Sequence, residues 1–202
     1  MKNSRVVGNV INAVIVFALV AGFPSASLAD WKLVEGESDL AFSTTKNSAI
    51  VESHTFERFS GRATTMGSVQ VQVDLGSVET QIPIRNERMG SMLFEIGRFP
   101  VLVIESKFDP MQMTKMEEGA SQLQELTAKV TLHGMSADIM LPVRVTRLSA
   151  TRFQAVTTRP VIANASQFDL GGGVEALRLI AKLATITPAV PVTFSLIFES
   201  DS

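Results

Sequence analysis

Apolar and polar residues alternate along four stretches of the chain. Val69, Val71, Val73 and Leu75 form the first, and Leu126, Ala128, Val130 and Leu132 the second. Ile139, Leu141, Val143 and Val145 form the third, and Val190, Val192, Phe194, Leu196 and Phe198 the fourth. In an extended backbone this spacing of two puts the apolar side chains on one face of a strand. Shorter segments, Leu40–Thr45, Val101–Asp109 and Arg152–Ile162, read as strands in the same way. Gly134-Met135-Ser136 and Leu148-Ser149-Ala150-Thr151 are short enough to serve as hairpin turns, so the middle of the chain is a meander. The pattern predicts a mainly β, antiparallel protein with one apolar and one wetted face.

Two helices are expected to interrupt the strands. In the first, Asn86 is placed to cap the N-terminus while Met89, Met92 and Leu93 share a face. The second follows Gly171-Gly172-Gly173, with Val174, Leu177, Ala181 and Ala184 on one side and Glu175, Arg178 and Lys182 on the other. A sheet with one apolar face must pack against another layer or close on itself. About eight strands make a barrel that is either filled by side chains or able to hold one small ligand. Periodicity does not choose between barrel and sandwich, or between a hollow and a filled interior.

The first 29 residues read as a cleavable signal peptide. Lys2 and Arg5 precede an apolar run from Val10 to Phe23, and Ser27-Leu28-Ala29 supplies small residues before Asp30. That run of 14 residues is shorter than the ~20 a membrane-crossing helix needs, so no permanent anchor is expected. The expected product is one periplasmic or secreted domain, residues 30–202. Without Lys2 and Arg5 it carries 16 Lys and Arg against 20 Asp and Glu, a formal −4. The signs are mixed along the chain, which argues against nucleic acid as a partner.

Enzymatic chemistry finds little to work with. There is no Cys, and the imidazoles are His54 and His133 alone. No serine-nucleophile elbow, zinc-protease motif or phosphate loop is present, and no cofactor is expected. His133 ends an alternating strand and reads as a turn residue. His54 lies in Glu52-Ser53-His54-Thr55-Phe56-Glu57-Arg58-Phe59, either as a rim residue or as a polar group orienting a ligand head. The three glycines at 171–173 read more readily as a linker than as an anion cradle, since Glu175 follows at once. Met111, Met113 and Met116 are spaced as soft ligands for Cu(I), or simply continue an apolar strand face in a polar loop. Arg85 and Arg88 can fork onto an anionic ligand, or pair with Glu79, Glu87 or Glu95.

The run Ser77-Val78-Glu79-Thr80, Arg85-Asn86-Glu87-Arg88-Met89, Leu93-Phe94 and Phe99-Pro100 resembles the YceI family. So do Ser38-Asp39-Leu40-Ala41-Phe42, Leu132-His133-Gly134-Met135 and Val190-Pro191-Val192-Thr193-Phe194, so the likeness spans nearly all of the exported chain. Two departures are Asn86, where many members carry Asp, and Gln167-Phe168-Asp169-Leu170 before the last helix. The resemblance implies an antiparallel, eight-stranded, lipocalin-like β-barrel with two short helices and an apolar interior for a long isoprenoid. Such a protein sequesters or carries a polyisoprenoid, a quinone tail or a polyprenyl phosphate, and is not an enzyme. The residues expected to contact it are Phe42, Phe56, Phe59, Val71 and Val73, with Met89, Met92, Leu93 and Phe94 as a lid and His54 and Arg85 near the head group. A homodimer is compatible with a tail longer than one barrel. The alternatives are a stress-related interaction scaffold with a packed interior, and a Met-based copper-handling factor.

Overall fold

The structure, a computed structural model, describes residues 31–200. The expected signal peptide lies outside the described residues. In chain order the strands are β1 (Trp31–Leu33), β2 (Asp39–Lys46), β3 (Ile50–Phe56), β4 (Phe59–Ala63), β5 (Ser68–Asp74) and β6 (Val78–Glu79). Helix α1 (Pro83–Arg88) comes next and runs on into a π-helical turn, Met89–Leu93. Then follow β7 (Val101–Lys107), α2 (Pro110–Thr114), β8 (Ser121–Leu132), β9 (Met135–Arg147), β10 (Arg152–Thr157), β11 (Val161–Asn164), α3 (Gly171–Ile180) and β12 (Ala189–Ser200).

These strands close into an eight-stranded antiparallel barrel. The ring runs β1-β4-β5-β7-β8-β9-β10-β12 and returns from β12 to β1. Three staves are each built from two pieces. One run of chain supplies β1 and then β2, both beside β12; the next supplies β3 against β2 and β4 against β1. In the third, β10 and β11 both pair with β12. Residues 152–162 are therefore not one strand: Thr158-Arg159-Pro160 interrupts them, and Pro160 has no N–H to give to a ladder. The β8–β9 hairpin is joined by His133 (φ 53°) and Gly134 (φ 76°), whose positive angles match the twist of the strands they connect.

The helices depart from the sequence reading in four ways. Asn86 does not cap α1; Ile82 precedes it, Pro83 starts it, and Asn86 sits inside. The three glycines are not a linker but the first turn of α3, which ends at Ile180 and leaves Ala181 and Ala184 beyond it. A third helix, α2, occupies the methionine segment, begun by Asp109 Oδ1 accepting from the Met111 N–H at 2.9 Å. Before α3, Asn164 and Gln167 form a reciprocal capping box that seats Phe168 in the core.

Candidate functional site

The inward faces of the strands do not fill the barrel. They enclose a cavity of about 600 Å³, walled mainly by apolar side chains from every stave and from α1 and α3. Phe42 and Phe56 stack within it at 5.3 Å between ring centres, and Phe56 meets Phe94 at 6.1 Å. Phe59, Val71, Met89 and Leu93 join the same wall, as do the expected polar residues His54 and Arg85. Two sequence-predicted residues do not. Val73 has no exposed surface at all and is covered by its neighbours, in register with Phe59 and Leu102. Met92 is also absent from the lining, and its carbonyl instead backs onto α3 at Gly173.

Polar groups gather at one mouth, which three pieces of chain frame. The β2–β3 hairpin forms one side. The exit from α3 is tied to it by the Asn47 N–H donating to Thr185 O at 3.0 Å and the Ala184 N–H donating to Asn47 Oδ1 at 2.8 Å. The start of α1 is tied to it through Arg85, which pairs with Glu52 rather than with Glu79, Glu87 or Glu95. Lys46 shares the same carboxylate at 2.8 Å. Two cations on one anion leave a positive excess, and Arg88 adds to it as a cavity-lining cation with no ion pair among the described residues.

The charge states follow from these contacts. Hydrogen bonding by Lys46 holds the Glu52 carboxyl below its usual range, opposed by burial and aided by Arg85. Burial, reinforced by the Arg85 charge, pushes the His54 pKa down, so the ring is neutral at pH 7. His54 is only 3% exposed, and its Nε2 is bonded to Thr44 Oγ1 at 3.0 Å. Its Nδ1, and Nε of Arg85, are buried and have no hydrogen-bond partner among the described residues. Arg85 Nε–H is placed to donate to an oxygen of a head group, and His54 Nδ1 donates as well in the tautomer in which Nε2 accepts from the Thr44 hydroxyl.

The opposite end is closed by Trp31, Phe153 and Met113, with Trp31 edge-on to Phe153 at 5.7 Å. Trp31 and Gln124 line the cavity there, and their Nε1 and Nε2 have no acceptor among the described residues. Sequence reasoning missed Lys46, Glu52, Trp31 and Gln124. Glu52 carried a signal, because it shares the parity of His54 and Phe56 and so points inward. The methionine trio does not share one environment: Met111 is 60% exposed, Met113 lines the cavity and Met116 is buried. His133 sits in its turn against Phe99 at 4.6 Å and Glu95 at 3.3 Å, away from the cavity lining. Among the described residues no three His, Asp or Glu side chains gather to hold a metal ion.

Comparison with known proteins agrees with the geometry. Residues 31–198 match the model of the YceI-like domain. A polyisoprenoid binding domain from Saccharophagus degradans implicated in plant cell wall breakdown is 34% identical, with a TM-score of 0.82 over 84% of this chain and 98% of that one. BcnA of Burkholderia cenocepacia has the same fold at 17% identity, with a TM-score of 0.64 over 82% of this chain and 98% of its own. The YCEI protein of Campylobacter jejuni, at 12% identity, gives 0.54 over 74% of this chain and 84% of its own. No curated protein matches the sequence.

Proposed function

The chain belongs to the YceI-like family, and from that premise we propose that it is an exported lipid-binding protein that holds a polyisoprenoid in its barrel. The observation that carries this reading is the cavity of about 600 Å³, apolar along its walls and basic at one mouth. At the roughly 30 Å³ that a water-sized group takes in a liquid, it accommodates on the order of twenty heavy atoms. Binding comes from burial, at ~0.8 kcal/mol for each CH₂ removed from water. The relative from Saccharophagus degradans, a polyisoprenoid binding domain, supports the same ligand class here.

The head group lies at the mouth among Lys46, His54, Arg85 and Arg88. Two cations sharing Glu52, and a third with no ion pair among the described residues, favour an anionic head such as a polyprenyl phosphate over a neutral quinone. The apolar run that follows Lys2 and Arg5 in the sequence supports an exported location, periplasmic or secreted, with sequestration or transport as the proposed role; no catalytic step is assigned to the site. The test is mass spectrometry of an organic extract of the protein purified from its native exported fraction, beside Ala155→Trp. Ala155 lines the cavity from β10, so the indole occupies ligand space. A stoichiometric isoprenoid in the first and not the second supports the reading. Empty extracts from both favour a scaffold whose loops bind a protein.

A further inference from the structure

The mouth of the cavity is surrounded by apolar side chains that face solvent. Ile50 on the β2–β3 hairpin, Ile82 and Ile84 at the start of α1, and Leu179 and Ile180 at the end of α3 are between 43% and 60% exposed. The hydrogen bonds and ion pair described above bring these three pieces of chain to one rim. Ile82, Ile84 and Ile180 belong also to the cavity lining, so apolar surface reaches from the interior out onto the rim beside the charged groups of the mouth. Scattered exposed apolar residues carry no message, but a cluster gathered around an opening does.

Charge at the rim has the opposite sign to the chain as a whole, whose formal balance is −2. Lys46 and Arg85 share one carboxylate, and among the described residues neither Arg88 nor Lys182, an exposed cation that follows Ile180 closely, has an ion pair. Glu87, on α1, is the exposed acid nearest to them in sequence. Isoleucines and leucine interleaved with Lys and Arg form the surface that sits in a lipid interface, where apolar groups enter the acyl boundary and cations meet anionic heads.

Resting on the lipid-carrier reading, we propose that this rim docks on an anionic phospholipid bilayer, and that ligand passes between membrane and barrel through the docked mouth. Free in water, the mouth would release its ligand with every carbon of the tail hydrated on the way. At ~0.8 kcal/mol per CH₂, hydrating one five-carbon unit slows transfer by roughly three orders of magnitude. Seated on lipid, the tail stays in apolar surroundings throughout.

The test uses three residues outside the cavity lining, Ile50, Leu179 and Lys182. Flotation with phosphatidylglycerol-containing vesicles is compared with pure phosphatidylcholine for the protein, for Ile50→Glu/Leu179→Glu and for Lys182→Gln. Uptake of a fluorescent prenyl alcohol from detergent is measured on the same samples. The proposal expects flotation with the anionic vesicles, weakened about tenfold or more in the double variant and about fivefold in Lys182→Gln. Prenyl uptake and melting temperature stay unchanged. A protein that takes up the probe but does not float, that floats equally well in all variants, or that covers the rim by pairing with a second copy, overturns docking while leaving the carrier reading standing. Flotation without probe uptake overturns both, because docking is argued from loading.

Discussion

A Cβ built on Gly173 would lie 2.8 Å from the Cα of Leu93 and 2.7 Å from the carbonyl oxygen of Met92. The first turn of α3 and the π-helical turn after α1 thus cross with their backbones in contact. The two elements are packed against each other there with no room for a side chain between them. Gly172, one position earlier, has no atom within 4 Å of where its Cβ would stand. Gly173→Val is expected to destabilise the fold by about 1–3 kcal/mol through overpacking. Gly172→Ala is expected to stabilise it by up to about 1 kcal/mol through helix propensity. Urea denaturation of the pair reads the difference, and equal midpoints would mean that the helices do not cross this closely.

Asn86 fixes the path by which the chain leaves the sheet. Its Oδ1 accepts from both the backbone N–H and the hydroxyl of Thr80, while its Nδ2 donates to Glu79 Oε2 at 3.0 Å. An aspartate can still accept from Thr80 but turns the Glu79 contact into a carboxylate facing a carboxylate. Asn86→Asp is therefore expected to lower stability by about 1–3 kcal/mol at neutral pH, and Glu79→Gln to restore most of it. A thermal melt of the single and double variants checks this; additive losses would rule out the coupling.

The same contact shows what sequence alone conveys. Alternation put Phe42 and Val71 on the inner face and both line the cavity, as do Phe56 and Phe59, which lie on β3 and β4, strands that no alternating run announced. Val73 has the same parity as Val71 and lies on the same strand, yet it has no exposed surface and takes no part in the cavity lining. Parity reports which face a side chain takes, not which other side chains lie over it. The glycines at 171–173 read as a break because glycine is a poor helix former, and the close approach to Leu93 that makes glycine necessary involves a segment some eighty residues away. Asn86 read as a cap because its partners, Thr80 and Glu79, precede the helix and only the fold turns them back onto it. The Lys46–Glu52–Arg85 cluster joins β2, β3 and α1, and no local pattern announces such a meeting.

Acid should loosen the mouth in two stages. His54 is held neutral by burial and by Arg85, with Lys46 and Glu52 as its other charged neighbours, so its pKa in the folded chain lies below the ordinary value of about 6.5. A depressed pKa contributes stability that is complete above about 6.5 and is lost as pH falls through the folded value. Glu52, depressed by Lys46 and Arg85, adds a contribution present above its ordinary 4.5 and lost below it. Melting temperature followed from neutral to acid pH is expected to fall in both ranges. His54→Gln flattens the upper one and Glu52→Gln the lower. A profile unaltered by either variant would show that these groups do not titrate with folding.

The cavity also limits how much of a tail it can shelter. Each added five-carbon unit contributes several kcal/mol while it enters apolar space, since every CH₂ buried is worth ~0.8 kcal/mol. A cavity of about 600 Å³ admits on the order of twenty heavy atoms, or about four such units. Affinity for a series of prenyl alcohols is therefore expected to rise steeply up to about four units and then level off, because further units stay outside. Arg88 stands at the mouth rather than along the tail, so Arg88→Gln leaves this dependence on length unchanged. With prenyl phosphates the same variant is expected to weaken binding about tenfold, by removing a cation that has no ion pair among the described residues. Titration of both series against both proteins separates tail from head, and an affinity independent of length would place the tail outside the barrel.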